Sequence, residues 1–150
     1  MANVNSPNGF TPAYHMSGGT IRPSEFAIAS GTNASIFSGD VVNLSSGLVI
    51  QGTATGTPLG VFAGVEYQAT DGSVVFSKVW TADVATLGAA NAKAYVYSDP
   101  DIVYEAQSTG TPTQASIGTT NTISTTAGDS NTGRSKEGVT TTTSSGIATV

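Results

Sequence analysis

The chain is predicted to be an all-β protein, a small antiparallel β-barrel or sandwich with extended N-terminal and C-terminal arms. Three observations lead there. Short apolar runs follow one another between residues 38 and 106, with turn residues between nearly all of them. Only residues 81–94 offer any helical content, which disfavours a βαβ arrangement. Both flanks are rich in Gly, Ser, Thr, Asn and Pro and poor in large apolar side chains, so neither builds a core of its own. The expected division is an extended N-terminal arm over residues 1–27, a β-domain over 28–107 and a Ser/Thr/Gly-rich C-terminal extension over 108–150.

In the first piece Pro7, Pro12 and Pro23 alternate with Gly9, Gly18 and Gly19, which breaks any helix and removes a backbone donor at each proline. Phe10, Tyr14, Met16, Ile21 and Phe26 are spaced too widely for a local core and suit docking one by one into pockets. The body starts at Phe26-Ala27-Ile28-Ala29-Ser30 and Ile36-Phe37. Gly39-Asp40-Val41-Val42-Asn43-Leu44 then turns through Ser45-Ser46-Gly47 into Leu48-Val49-Ile50-Gln51, a hairpin signal. In Leu59-Gly60-Val61-Phe62-Ala63-Gly64-Val65-Glu66-Tyr67, strict alternation puts Val61, Ala63, Val65 and Tyr67 on one face. It puts Gly60, Phe62, Gly64 and Glu66 on the other, where the small residues predict close backbone approach or a bulge.

Asp71-Gly72 turns the chain into the most apolar strand, residues 73–80. Asp83 is a candidate cap for a short turn through Leu87, although Gly88 stops it early and the Ala-rich run reads equally well as loop. Tyr95-Val96-Tyr97 and Ile102-Val103-Tyr104-Glu105-Ala106 flank Ser98-Asp99-Pro100-Asp101, where Pro presets φ and Asp accepts local donors. This is the best hairpin expectation in the chain. From Gln107 onward isolated Ile117, Ile123, Val139, Ile147 and Val150 stand in Thr-rich sequence whose strand propensity predicts an ordered extension. Thr-Gly-Thr-Pro occurs at residues 55–58 and again at 109–112, marking two loops, because the sequences that follow do not match.

Composition excludes several functions. Ten acids against five bases give a net charge of −5 with no basic cluster, so nucleic acid is not an expected partner. No run approaches the ~20 apolar residues of a membrane span, and the N-terminus has neither the basic start nor the apolar stretch of a secretory signal. The Asn-x-Ser sequons at Asn33 and Asn43 therefore carry little weight. With no cysteine and His15 as the sole histidine, zinc sites of the common kinds cannot form. Gly128-Asp129-Ser130 resembles the start of a serine-protease signature, but Asn131 replaces the next glycine, and a turn explains it better. Asp99, Asp101 and Glu105 are read as turn formers because Pro100 interrupts them and no calcium-loop spacing follows. Tyr67, Trp80, Tyr95, Tyr97 and Tyr104 are read as core or cross-strand residues before a sugar-binding face. No cofactor and no catalysis are expected.

Certain motifs carry a resemblance. Pro7-Asn8-Gly9-Phe10, Tyr14-His15-Met16-Ser17-Gly18-Gly19-Thr20-Ile21-Arg22, Ile28-Ala29-Ser30-Gly31, Ile36-Phe37-Ser38-Gly39-Asp40-Val41-Val42 and the run from Leu59 to Tyr67 resemble small structural proteins of tailed bacteriophages, marine ones especially. The similarity is to capsid decoration, or cement, proteins and covers about residues 7–107. It implies a non-enzymatic β-domain, made in the host cytoplasm, that binds the outside of the virion head and ties major capsid protein subunits together, with sister copies as further partners. On that reading the candidate partner-binding residues are Phe10, Tyr14, His15, Met16, Ile21, Arg22 and Phe26. An arm of about 27 residues at ~3.3 Å each reaches on the order of 90 Å, enough to cross between subunits. The alternatives are another virion component, such as a head fibre base or tail protein, and a carbohydrate-binding module. The closing Ile147-Ala148-Thr149-Val150 reads as the start of a strand, either completed by a neighbour or cut short in the given sequence.

Overall fold

The computed structural model describes residues 5–54, 56–88, 92–143 and 148–149. Among the described residues thirteen strands follow in order: β1 (Thr11–His15), β2 (Ser24–Ala27), β3 (Ile36–Phe37), β4 (Val41–Ser45), β5 (Leu48–Gln51), β6 (Pro58–Gln68), β7 (Val74–Ser77), β8 (Val79–Trp80), β9 (Ala92–Tyr97), β10 (Ile102–Glu105), β11 (Thr120–Ser124), β12 (Gly138–Thr143) and β13 (Ala148–Thr149). The principal sheet runs β2-β9-β6-β4-β5, with β7 also paired to β6. β1 pairs β10, β3 pairs β8, and β12-β11-β13 form a third small sheet, every one of these pairings being antiparallel. The fold is thus all-β and sandwich-like, with no closed barrel among the described residues.

β6 organises the whole. On one side its first half pairs β4 and its second half β7, while β9 runs along the other side. Register shifts against β9 between Phe62 and Gly64, so the strict alternation expected from sequence is reset there. As a result Phe62, Val65 and Tyr67 serve one core together, and Val61 serves the other. The main core gathers Ile28, Ile36, Val42, Val49, Phe62, Val65, Trp80, Ala92, Ala94 and Val96. Trp80 is fully buried, its indole N–H donating to Thr32 Oγ1 at 2.7 Å and its ring meeting Tyr67 edge-on at 5.4 Å. The second core is smaller: Phe10, Val41, Val61 and Ile123, flanked by Tyr104, Ala106 and Val139.

Several expectations change. β4 and β5 are joined by the two residues Ser46 and Gly47, both at positive φ (51° and 79°), which is the tight turn whose twist matches a hairpin, in place of a three-residue loop. Residues 98–101 do turn, with the Asp101 N–H donating to Asp99 Oδ1 at 2.9 Å, but β9 and β10 do not pair. β9 already has β2 and β6 on its two edges, so β10 leaves for a second layer and pairs β1. The segment makes a corner between layers. Described residues 81–88 form no helix: Asp83 sits at φ 59° and its N–H donates to Thr32 O, while the rest of the Ala-rich run at 89–91 lies outside the described residues.

The N-terminal residues expected as an extended arm lie on the body. β1 and β2 pair β10 and β9, and Phe10 is buried with its N–H on Gly39 O at 2.9 Å. The C-terminal region is likewise ordered as β11–β13, with Ile123 in the second core. The reason is plain in both cases. Each flank carries a few large apolar side chains, and one from each, Phe10 and Ile123, is buried in the second core, while Tyr14, Met16 and Ile117 stay exposed. Thr55, Ile147 and Val150 lie outside the described residues.

The glycines of β6 do mark close approach. A Cβ added at Gly60 would collide with the Tyr97 carbonyl, a backbone atom that cannot rotate away. Gly60→Ala is therefore expected to cost roughly 1–3 kcal/mol, read as a lower urea midpoint at unchanged m-value; an unchanged midpoint would contradict this packing.

Candidate functional site

The candidate partner-binding residues separate into two groups. Phe10 is 8% exposed and Phe26 is half-buried against the main core, so much of their side chains is occupied within the fold. Their apolar area is already used in folding, which is a correction to the expectation that they dock elsewhere. Ile21 is half-buried, and Arg22 is exposed. Tyr14 and Met16 are the ones presented, at 59% and 65% exposure.

His15 has a structural task. Its Nε2 lies 3.1 Å from Asp99 Oδ2 and its Nδ1 lies 3.0 Å from Ser17 Oγ, while the ring is covered by Gly19, where an added Cβ would lie 3.3 Å away. The Met16 N–H donates to Asp101 O at 2.9 Å, continuing the β1–β10 pairing past its end. This clasp fastens the N-terminal segment to the corner at 98–101. Asp99 is held below the usual carboxylate range, first by the Asp101 N–H and then by His15. Ligand atoms of His15, Asp99 and Asp101 lie within 4.8 Å of one another. Both ring nitrogens and both Asp99 oxygens already have partners, so hydrogen bonding accounts for the cluster without a cation.

Above the second core lies a half-open apolar groove of about 1050 Å³, bordered by Met16, Leu59, Tyr97, Ile102, Tyr104 and Val139. The Tyr104 hydroxyl donates to Tyr97 O at 2.8 Å, and burial pushes its phenol up to about 12, so it acts as a neutral strut. Tyr95 donates to Glu66 Oε2 at 2.7 Å, which raises its phenol as well. Trp80 is fully buried and Tyr67 packs on it, so these two offer no open stacking face. Gly128 sits under the Phe37 ring, and Asp129 Oδ1 accepts the Asn131 N–H at 2.9 Å, which makes the protease-like tripeptide a turn.

Sequence reasoning missed the groove, because its walls come from six separated stretches of chain. It also missed two buried acids, Asp40 and Glu137, each 1% exposed. Asp40 stands at a turn and Glu137 in polar sequence, so nothing local marks either for burial. No family model, curated protein or solved structure matches the chain.

Replacing His15 by Ala is expected to speed hydrogen exchange at the Met16 amide while leaving the amides around Trp80 protected. Equal protection at Met16 in both proteins would show that the clasp does not hold this segment. Asp99 has a lowered folded value, so its contribution is present above the ordinary carboxylate range and is lost as pH falls through that lowered value. Asp99→Asn should therefore remove part of the acid-side loss of thermal stability measured by circular dichroism.

Proposed function

We propose that this protein is a structural component of a tailed-phage virion that binds the outer surface of the head and stabilises the lattice by bridging major capsid protein subunits. The motif resemblance to decoration proteins motivates the reading, and one structural observation carries it. Met16 stands exposed at the border of a large apolar groove, and Tyr14 stands exposed two residues before it on the strand that pairs β10. Exposed aromatic and Met side chains at the edge of an apolar concavity have the chemistry of interface anchors. The acidic character, with a net charge of −5, fits binding to a protein shell better than to packaged nucleic acid.

Because β1 and β2 belong to the folded body, contact is made by a preformed surface, with little ordering entropy lost on binding. A protein that recognises the assembled lattice and not free subunits stabilises the lattice by mass action. Deleting residues 1–27 would remove two strands and so is a poor test.

Point variants test the reading cleanly. Tyr14→Ser combined with Met16→Ser should leave the melting temperature nearly unchanged and weaken co-sedimentation with preformed phage heads by at least about tenfold, the scale of one or two interface anchors. Undiminished co-sedimentation would remove these residues from the interface. Binding to tails and not to heads would replace decoration by another virion role.

A further inference from the structure

Asp40 and Glu137 are buried carboxyl groups without cations. The Phe37 N–H donates to Asp40 Oδ2 at 2.8 Å, and the Val41 N–H donates to Glu137 Oε2 at 2.8 Å. The second oxygen of each, Asp40 Oδ1 and Glu137 Oε1, is buried with no close hydrogen bond, the Ser135 side chain beside Asp40 easing that carboxyl in part. The charged groups on the surrounding elements are Lys78 on the link between β7 and β8, and Arg134 and Lys136 beside Glu137 itself. None forms an ion pair with either acid: Lys136 pairs with Asp129 at 3.7 Å, and no ion pair joins Lys78 or Arg134 to these carboxyls among the described residues. The segments 8–10, β4 and the part of β6 facing them contribute no titratable side chain near the pair, and Tyr104 reaches the adjoining second core as a neutral phenol.

The position of the pair gives it leverage. Ser135 N–H donates to Ser38 O at 3.0 Å, and the Ser135 hydroxyl accepts the Glu137 N–H at 3.0 Å. Gly9, at φ 74°, is packed so tightly that a Cβ there would meet both Ser135 and the Gly39 carbonyl. Three distant stretches of chain, 8–10, 37–41 and 135–137, therefore close on one point. Two ionised carboxylates cannot both remain there without water or a cation.

We infer that Asp40 and Glu137 form a proton-dependent latch: a proton held by the pair keeps residues 135–137 seated on the body, and its loss releases them together with the C-terminal sheet. Burial, reinforced by Asp40, pushes Glu137 up to about 8, and burial raises Asp40 in turn. The folded state thus holds a proton that the unfolded chain gives up at the ordinary glutamate value. Stability from this group is complete below that value and is lost as pH rises toward about 8. Over that window the opening equilibrium rises by up to about tenfold per pH unit. The latch does not depend on the proposed capsid role.

Arg134 and Lys136 are exposed and flank Ser135, so trypsin reads the latch directly. Cleavage of the full chain after these residues, normalised to an unfolded peptide at each pH, should be slow at about pH 6 and at least tenfold faster at about pH 9. Glu137→Gln keeps the acceptor for Val41 and cannot ionise, so its cleavage should be independent of pH; if that variant does not fold, Asp40→Asn leaves Glu137 buried and ionisable but removes the neighbouring charge, so the rise in cleavage should be smaller and level off at a lower pH than in the wild type, and an unchanged profile overturns the pairing. A wild-type rate that does not change with pH, or a Gln variant that keeps the change, overturns the latch. So does protection of the wild type at about pH 9 by calcium chloride, which would make the pair a cation site. A carboxylic-acid band in the infrared spectrum that disappears over the same window, and is reduced in either variant, supports it.

Discussion

The long strand β6 is the constraint on which the remaining structure depends. An eleven-residue strand cannot be paired along its full length on one side by the short strands this sequence supplies, so β4 covers its first half and β7 its second. β9 pairs along the opposite edge, and the register shift after Phe62 changes which side chains face which layer. Phe62 and Val65 are thereby turned to the same core, leaving Val61 to nucleate another on the opposite face. Each buried residue of this size contributes roughly 1.5–3 kcal/mol, so a chain with few of them gains from having both faces of one sheet covered.

That second core explains the flanks. Phe10 comes from the N-terminal segment and Ile123 from the C-terminal one, and they meet over Val41 and Val61. Neither flank folds on its own, yet each supplies what the other lacks. The same convergence buries Asp40 and Glu137, so the place where the chain closes on itself is also where its electrostatics are least comfortable. A surface held by paired strands suits a protein proposed to sit on a shell.

Much of the fold was legible in the sequence because it was written locally. The hairpin turn after Leu44, apart from its length, the close approach at Gly60 and the strands at Val41-Val42, Leu48-Val49 and Tyr95-Val96-Tyr97 all follow from neighbouring residues. What sequence could not give was partner choice. Asp99-Pro100 turns the chain equally well into a hairpin or into a corner, and only the occupied edges of β9 decide between them. Gly60 and Gly64 announced a bulge or close approach in β6, but their spacing does not say which of the two each marks or how the register resets the faces. For the candidate site, Tyr14 and Met16 were readable as sparse apolar residues in polar surroundings, as was Phe10, and nothing in their spacing separates the one that turns inward from the two that remain exposed. The clasp of His15 on Asp99 joins residues 84 apart in sequence, beyond the reach of any local pattern.

The central claim is that both flanks are integral to the body and that partners meet a finished surface. Native-state hydrogen exchange on the isolated, unassembled protein tests it most directly. The account predicts that the amides of Phe10 and Met16, together with those of β11 and β12 that pair, are protected and open in a cooperative unit with Val41 and Val61. Exchange of Phe10 and Met16 at the rate of a free peptide, with β6 and β9 still protected, would contradict it and return the N-terminal segment to the status of an arm.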